Sequence, residues 1–107
     1  MSDRGVKDVL RETIGFLPND PVSWLYASRG LYKLKEYRLC IEAVSNCLRS
    51  EKTLKDAQHI LAFCLWQTGQ HSAAAGAFVK SVKMGNETDW QVLIALFLDH
   101  PNLRMGN

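Results

Sequence analysis

Two segments of this sequence, residues 31–43 and 65–77, carry similar side chains at matching positions 34 residues apart. The matched pairs are Leu31 and Leu65, Tyr32 and Trp66, Tyr37 and His71, and Ala43 and Ala77. A constant interval of this size indicates a structure built from similar units placed side by side. The interval constrains the fold strongly, because both units need the same elements in the same order.

The apolar residues recur at spacings of three and four, which predicts helices and no strands. One example is the apolar face of the first segment, formed by Leu39, Ala43, Val44, Cys47 and Leu48. No proline interrupts the chain between Pro21 and Pro101. We predict an all-α fold with six helices at about 3–17, 21–34, 36–50, 54–68, 70–84 and 88–99. The short connections predict antiparallel hairpins.

Several residues predict where these helices begin and end. Asp20 followed by Pro21 is typical of a helix N-terminus. Thr53 and Thr88 each precede a carboxylate or Gln by three residues, as in a capping box. Gly69 and Gly85 are suited to the left-handed conformation that ends a helix.

The pattern within each unit resembles the tetratricopeptide repeat, in which small and large apolar residues hold fixed places in a unit of 34 residues. The first copy contributes Trp24, Ala27, Ser28, Leu31, Cys40 and Val44, and the second contributes Gln58, Leu61, Ala62, Leu65, Ala74 and Phe78. Val6, Leu10 and Pro18 match the second half of an earlier copy. The chain departs from the family at Lys35, where Gly is usual, and in lacking the closing Pro of both full copies.

This resemblance implies one domain over residues 1–107, a right-handed stack of antiparallel helical hairpins. It contains a preceding half-repeat at 3–17, full repeats at 21–54 and 55–88, and a C-terminal half-repeat or capping helix at 88–99. Small residues would let the helices approach, at Ser28, Cys40, Cys47, Ala62, Ala74 and Ser81. The spaces between helices would be filled by Trp24, Val44, Leu61 and Phe78.

Composition argues against several classes of function. The net charge of +2 is too small to indicate a nucleic-acid or membrane-surface protein. No apolar run is long enough for a membrane span, and the polar start lacks the apolar core of a signal peptide. We therefore expect a cytoplasmic protein. The three cysteines are an odd number without metal-ligand spacing, so we expect buried packing residues and neither a disulfide framework nor a metal site.

No arrangement of residues in the sequence indicates catalysis or a cofactor. His59, His71 and His100 are candidates for a general base, but no nucleophile motif, phosphate loop or carboxylate pair accompanies them. We interpret His71 as a packing residue at a helix start, since it replaces the tyrosine of the other segment. The expectation is a protein that is not an enzyme.

In tetratricopeptide proteins the first helix of each unit lines a concave groove in which partners bind. The resemblance places there Val22, Leu25, Arg29, Tyr32, Lys33, Asp56, His59, Phe63, Trp66, Gln67, Trp90, Leu93 and Phe97. Arg29 and Lys33 lie one helical turn apart and form either a solvated face or a site for an acidic partner residue. The family's carboxylate clamp is not expected, since Leu25, Arg29 and Ile60 occupy its positions.

The leading hypothesis is a non-catalytic adaptor whose groove holds an apolar or amphipathic peptide segment of another protein, because exposed aromatics with Arg are typical interface anchors. We expect Phe63 and Trp66 to point away from the hairpin interior and Trp24 to lie in the core. One alternative is an RNA-binding helical repeat of the pentatricopeptide type, which requires a basic groove and more repeats. The other is a homo-oligomerisation domain.

The last helix, 88–99, is apolar on almost every face, and a terminal unit needs a polar outer face. We expect Val92, Ala95 and Leu96 to pack on helix 70–84 and the other apolar side chains to be covered by a second copy, a partner or further repeats. The alternative is that the tail folds back, with Leu103 and Met105 shielding the helix.

Overall fold

The computed structural model describes residues 3–16, 20–51 and 54–103, and these residues form six helices and no strands. The helices are α1 (Asp3–Gly15), α2 (Pro21–Lys33), α3 (Tyr37–Ser50), α4 (Lys55–Gln67), α5 (His71–Met84) and α6 (Asp89–Asp99). The predicted all-α class is confirmed. Pro18, Thr53 and Met105, to which the sequence assigned roles, lie outside the described residues.

The predicted helix caps were right in part. Asp20 is the N-cap of α2, and its carboxylate accepts a hydrogen bond from the backbone N–H of Val22 at 3.1 Å. Thr88 is the N-cap of α6 but makes no side-chain cap bond, so the predicted capping box there is wrong. The N-cap position of α4 is Leu54, which has no side-chain oxygen to offer.

The turns within the hairpins α2–α3 and α4–α5 have the same backbone geometry. Lys35 N donates to Tyr32 O, and Gly69 N donates to Trp66 O. Glu36 N donates to Leu31 O, and Gln70 N donates to Leu65 O. Lys35 and Gly69 have φ of 61° and 81°, so both are left-handed although only one is glycine. Both bonds therefore recur at the 34-residue interval of the sequence.

Two clusters of buried side chains form the core of the described residues. The first joins α2, α3 and α4, and the second joins α4, α5 and α6. The six small positions predicted to let helices approach are all fully buried. Val44 and Phe78 are also fully buried, while Trp24 and Leu61 pack partly buried against the first cluster. The predicted core is therefore correct, with Trp24 and Leu61 at its edge.

Helices that follow one another from α2 to α6 pack together, and α2 also packs beside α4. This second contact places the first helix of one hairpin next to the first helix of the following hairpin. A groove therefore runs between α2 and α4. Ile14 of α1 packs against the first cluster.

Candidate functional site

The groove between α2 and α4 contains two adjoining cavities. The smaller, of about 220 Å³, is lined by Tyr32, His59, Ile60 and Phe63. The larger, of about 400 Å³, is lined by Tyr26, Arg29, Gly30, Tyr32, Lys33 and Ile60. Tyr32 and Ile60 belong to both linings, so the two cavities form one continuous surface. We call this surface the α2–α4 groove.

Aromatic rings form the floor of the α2–α4 groove and continue beneath it. Tyr32 meets Tyr37 edge-on at 5.6 Å and Phe63 edge-on at 6.5 Å between ring centroids. Phe63 stacks with Trp66 at 6.2 Å, and both rings meet the buried Phe78 at near right angles, at 5.0 and 6.1 Å. These separations are in the favourable range for aromatic pairs. The cluster therefore couples the groove surface to the core of the α4–α5 hairpin.

These contacts correct one prediction from the sequence. Phe63 and Trp66 do not point away from the hairpin interior, because both are partly buried and pack against the second core cluster. A ring on α4 is wide enough to touch Phe78 on one edge and the groove on the other. Substitution of either residue is therefore expected to affect stability as well as any binding.

Two basic side chains stand at the rim of the α2–α4 groove. The Arg29 guanidinium lies 3.1 Å from the Asp56 carboxylate, and it also lies 5.8 Å from the centre of the Tyr26 ring. Both members of the ion pair are about half exposed, at 48% and 52%, so the pair contributes little to stability. Lys33 has no ion pair within residues 3–16, 20–51 and 54–103. The rim can therefore offer positive charge to a bound group.

The Tyr32 hydroxyl stays protonated at neutral pH. Burial raises the pKa of Tyr32 above its ordinary value of 10.0, and the neighbouring Tyr37 raises it further. A protonated phenol in an apolar surface can donate one hydrogen bond to a ligand. The α2–α4 groove thus adds a neutral phenol, hydrogen-bonded to Gln67, to its apolar rings and basic rim.

The other predicted groove residues do not join this surface. The prediction that Leu25 faces the groove is wrong, because it is 9% exposed and belongs to the first core cluster. Val22 is exposed but lines neither cavity. Leu93 and Phe97 pack partly buried against the second core cluster. Gln67 instead lines a third concavity, which is larger than the two cavities of the groove.

This third concavity, of about 770 Å³, lies beside the two hairpin turns. Charged and polar side chains of both signs line it, including Arg11, Lys35, Glu36, Arg38 and Glu42. Tyr37, Leu39 and Ile41 also line it, but charged groups of both signs lie among them. We place the candidate site in the smaller α2–α4 groove, where partly buried rings meet a lysine that has no ion pair among the described residues.

Sequence reasoning missed the polar network at the start of α6. Asp89 is 1% exposed, and both its carboxylate oxygens lie 2.8 Å from His59 Nδ1. Ser81 Oγ donates to Asp89 Oδ2 at 2.5 Å, and Asn86 Nδ2 donates to Ser81 Oγ at 2.8 Å. The carboxylate lies between the hydroxyl and the imidazole, whereas a nucleophilic triad needs the imidazole against the hydroxyl. The network therefore fixes α6 to α4 and α5, and it orients His59 in the groove.

Three apolar side chains of α6 lie exposed in a row at intervals of four residues. Trp90 is 49% exposed, Ile94 is 48% exposed and Leu98 is 76% exposed. Leu96 is fully buried and Val92 is partly buried, as predicted, but Ala95 is exposed, so its predicted packing on α5 is wrong. Leu103 packs against the second cluster, as the alternative of a folded-back tail requires. The row of Trp90, Ile94 and Leu98, which we call the α6 ridge, stays uncovered by the described residues.

Cysteine and histidine side chains are held in packing contacts. Cys40, Cys47 and Cys64 are buried free thiols, as expected for small apolar residues. His71, predicted to pack at a helix start, stacks on His100 at 4.1 Å between ring centroids. Across residues 3–16, 20–51 and 54–103, no three side chains of the metal-binding types come together as a possible ion site.

The described helices are all too short or too polar to cross a membrane. No protein-family model matches this chain, and no curated protein matches it in sequence. The resemblance to tetratricopeptide repeats therefore depends on the residues and turns described above.

Proposed function

We propose that this chain is a non-catalytic interaction module of the tetratricopeptide type. Its α2–α4 groove would bind an apolar or amphipathic segment of another protein. The observation that carries the proposal is the continuous surface formed by Tyr32, Ile60 and Phe63 between the first helices of two hairpins. The matching hairpin turns at Lys35 and Gly69 support the family.

The chemistry of the groove suggests what the segment contains. The apolar lining suits a large aliphatic or aromatic side chain, which would lose water on entering. Lys33 lies at the rim and has no ion pair in the part of the chain that the structure describes, and Arg29 shares its charge with an exposed aspartate. We therefore propose an acidic residue close to the apolar anchor of the bound segment. Electrostatic complementarity of this kind contributes chiefly to specificity and to the association rate.

We also propose a cytoplasmic location. The three cysteines are buried and unpaired, and free thiols persist in a reducing compartment. Fractionation of the cells that express the protein checks this, and recovery only from a secreted or membrane fraction would contradict it.

A glycine on α2 allows a direct test of the groove. Gly30 lines the larger cavity, and a Cβ at this position would meet no atom within 4 Å. Gly30→Met should fill the groove without disturbing the core. Within a helix, replacing glycine also removes a destabilising contribution of about 0.5–1 kcal/mol. Loss of binding by this variant would therefore not result from unfolding.

Gly76 on α5 provides the matched control. It too has no atom within 4 Å of an added Cβ, and it lies on a different surface, between α4 and α5. Proteins captured by the wild type and by Gly76→Met, but not by Gly30→Met, depend on the groove. Cross-linking identifies the bound segment, and calorimetry with the synthetic peptide should give at least a tenfold weaker Kd for Gly30→Met. Equal affinity of both variants for that peptide contradicts the proposal.

The same variants distinguish the RNA-binding alternative. Single-stranded RNA held by a basic groove would bind tightly at low salt and lose affinity steeply as salt rises. We expect no such binding, since the groove lining is mostly apolar and the chain has a net charge of only +2. Tight, salt-sensitive RNA binding that Gly30→Met abolishes would replace the peptide proposal.

We propose as a second function that the α6 ridge mediates association between two copies of this chain. Its exposed side chains Trp90, Ile94 and Leu98 form a straight apolar row, which a second α6 ridge could cover around a twofold axis. Sedimentation over a concentration series should show a dimer for the wild type and a monomer for Ile94→Lys. Exposed Tyr26→Lys on α2 is the control and should remain dimeric. A wild-type monomer at high concentration that binds no hydrophobic dye would contradict this proposal.

A further inference from the structure

Two of the three cysteines meet across the junction of the two hairpins. Cys40 lies on α3 and Cys64 on α4, and their sulfur atoms are 2.9 Å apart. Both side chains are fully buried. The third, Cys47, is directed elsewhere, and its Sγ donates to the backbone carbonyl of Pro21 at 3.3 Å.

The pair forms a short chain of thiol hydrogen bonds. Cys64 Sγ donates to Cys40 Sγ, and Cys40 Sγ donates to the backbone carbonyl of Ser28 at 3.2 Å. The hydrogen bond with Cys64 and then burial raise the pKa of the Cys40 thiol well above its ordinary value. Since the thiolate is the nucleophile, the closed pair is unreactive at neutral pH. Reaction therefore requires local opening of the α3–α4 contact.

We propose that Cys40 and Cys64 are a redox-sensitive pair that forms an intramolecular disulfide when a small peroxide oxidises the chain. A disulfide has a sulfur–sulfur distance of about 2.0 Å, so the two sulfurs must approach by only roughly 0.9 Å from their present positions. The bond would join α3 to α4 and so link the two hairpins covalently. Closing the loop between residues 40 and 64 would also restrict the unfolded chain.

The chemistry takes place in two steps with hydrogen peroxide as the oxidant. The thiolate of one cysteine, formed when its proton leaves to water, attacks a peroxide oxygen. The sulfur–oxygen bond forms, the oxygen–oxygen bond breaks, and the departing hydroxide takes up a proton to give water and a sulfenic acid. The second sulfur then attacks the sulfenic sulfur, a disulfide forms, and the hydroxide leaves with the second thiol proton as water. Two thiols lose two electrons, and the peroxide gains them.

Mass spectrometry of the full chain tests the pair directly. After exposure to hydrogen peroxide, the chain is denatured and its remaining thiols are alkylated. We expect the mass to fall by two hydrogen atoms, one thiol per chain to react, and proteolysis to release a linked peptide containing Cys40 and Cys64. Dithiothreitol should restore three reactive thiols. This result is obtained on the wild type, so it does not depend on whether any variant folds.

Three cysteine variants identify which two residues form the disulfide. Cys47→Ser is the matched control and should form the disulfide at the wild-type rate, whereas Cys40→Ala and Cys64→Ala should form none within the chain. The oxidised wild type and Cys47→Ser should show a higher Tm, which returns to its starting value on reduction. A chain that keeps three reactive thiols, forms bonds through Cys47 or between chains, or proceeds to sulfinic acid would overturn the proposal. A lower Tm after oxidation would show that the native packing does not accommodate the bond.

Discussion

The hairpins α2–α3 and α4–α5 have the same turn geometry but fill their interiors differently. The interior of the first holds Val44 with the thiols of Cys40 and Cys47. The second holds Phe78 in the place of Val44, with Ala74 and Ser81 in the places of the two cysteines. One large ring with small neighbours thus replaces several residues of medium size. The comparison teaches that total volume matters more for this backbone than the identity of any one side chain, because a core tolerates exchanged apolar side chains when its total volume is kept.

The largest difference in stability is expected between truncation of Phe78 and truncation of Val44, which occupy the same place in the two hairpins. Phe78→Ala should lower the free energy of unfolding by about 3–5 kcal/mol, because it removes a fully buried ring that also supports Phe63 and Trp66. Val44→Ala removes two methyl groups and should cost roughly 2 kcal/mol. Urea unfolding followed by circular dichroism measures both. Equal losses would show that the second hairpin does not depend on its aromatic filler.

The thiols give the first hairpin a sensitivity to alkaline pH that the corresponding residues of the second lack. Burial raises the pKa of Cys47 above its ordinary value of 9.0, and the Cys64 hydrogen bond with burial does so for Cys40. Unfolding therefore releases protons above about pH 9, so stability is full below that pH and falls as pH rises. We expect the free energy of unfolding to decline between about pH 8 and about pH 10 as these thiols ionise in the unfolded chain.

Giving the first hairpin the residues of the second tests whether the thiols cause the loss of stability at alkaline pH. The double variant Cys40→Ala and Cys47→Ser gives the first hairpin the residues of the second. Its free energy of unfolding should decline less steeply between about pH 8 and about pH 10 than that of the wild type. The slope is the relevant quantity, since the substitutions also change packing at neutral pH. An unchanged slope would assign the alkaline loss to other groups, such as Tyr32, whose burial also raises its pKa.

The two hairpin turns differ at the residue with a left-handed backbone, which is a lysine in the first turn and a glycine in the second. Lys35 adopts a φ of 61°, where a side chain is strained, and Gly69 adopts 81° without that strain. Lys35→Gly should therefore raise the free energy of unfolding by about 0.5–1 kcal/mol, and Gly69→Lys should lower it by about 1–2 kcal/mol. Thermal unfolding of both variants decides this. A destabilising Lys35→Gly would mean that the lysine side chain makes a compensating contact.

A further difference of similar size concerns the start of each hairpin. Trp24 packs against the first core cluster, while its counterpart Gln58 is 4% exposed and donates from Nε2 to the backbone carbonyl of Ala77 at 3.1 Å. Gln58→Met keeps the volume and removes the donor, so we expect a loss of about 1 kcal/mol. Chemical denaturation measures it. A more stable Gln58→Met would show that the buried amide costs more in desolvation than its hydrogen bond returns.

The sequence by itself determined the all-helical class, the helix limits to within one or two residues, and the buried small positions. It could do so because helical periodicity, caps and turn residues act over a few neighbouring residues. Gly69 and Gly85, which adopt the left-handed conformation, and the N-cap Asp20 could be predicted for the same reason, since each depends on neighbouring residues alone. Of the residues that the sequence placed in a binding groove, Arg29, Tyr32, Lys33, His59 and Phe63 line the two cavities between α2 and α4, and their role in binding stays a prediction.

Only the tertiary structure decided what those helices present to one another. The burial of Leu25, the contact of Phe63 and Trp66 with Phe78, and the exposure of Ala95 depend on how neighbouring helices cross. The network around Asp89 and the meeting of Cys40 with Cys64 join residues that are distant in sequence. Spacing within one helix assigns a residue to a face, but the crossing angle and the rotamers of the partner helix determine which atoms that face meets.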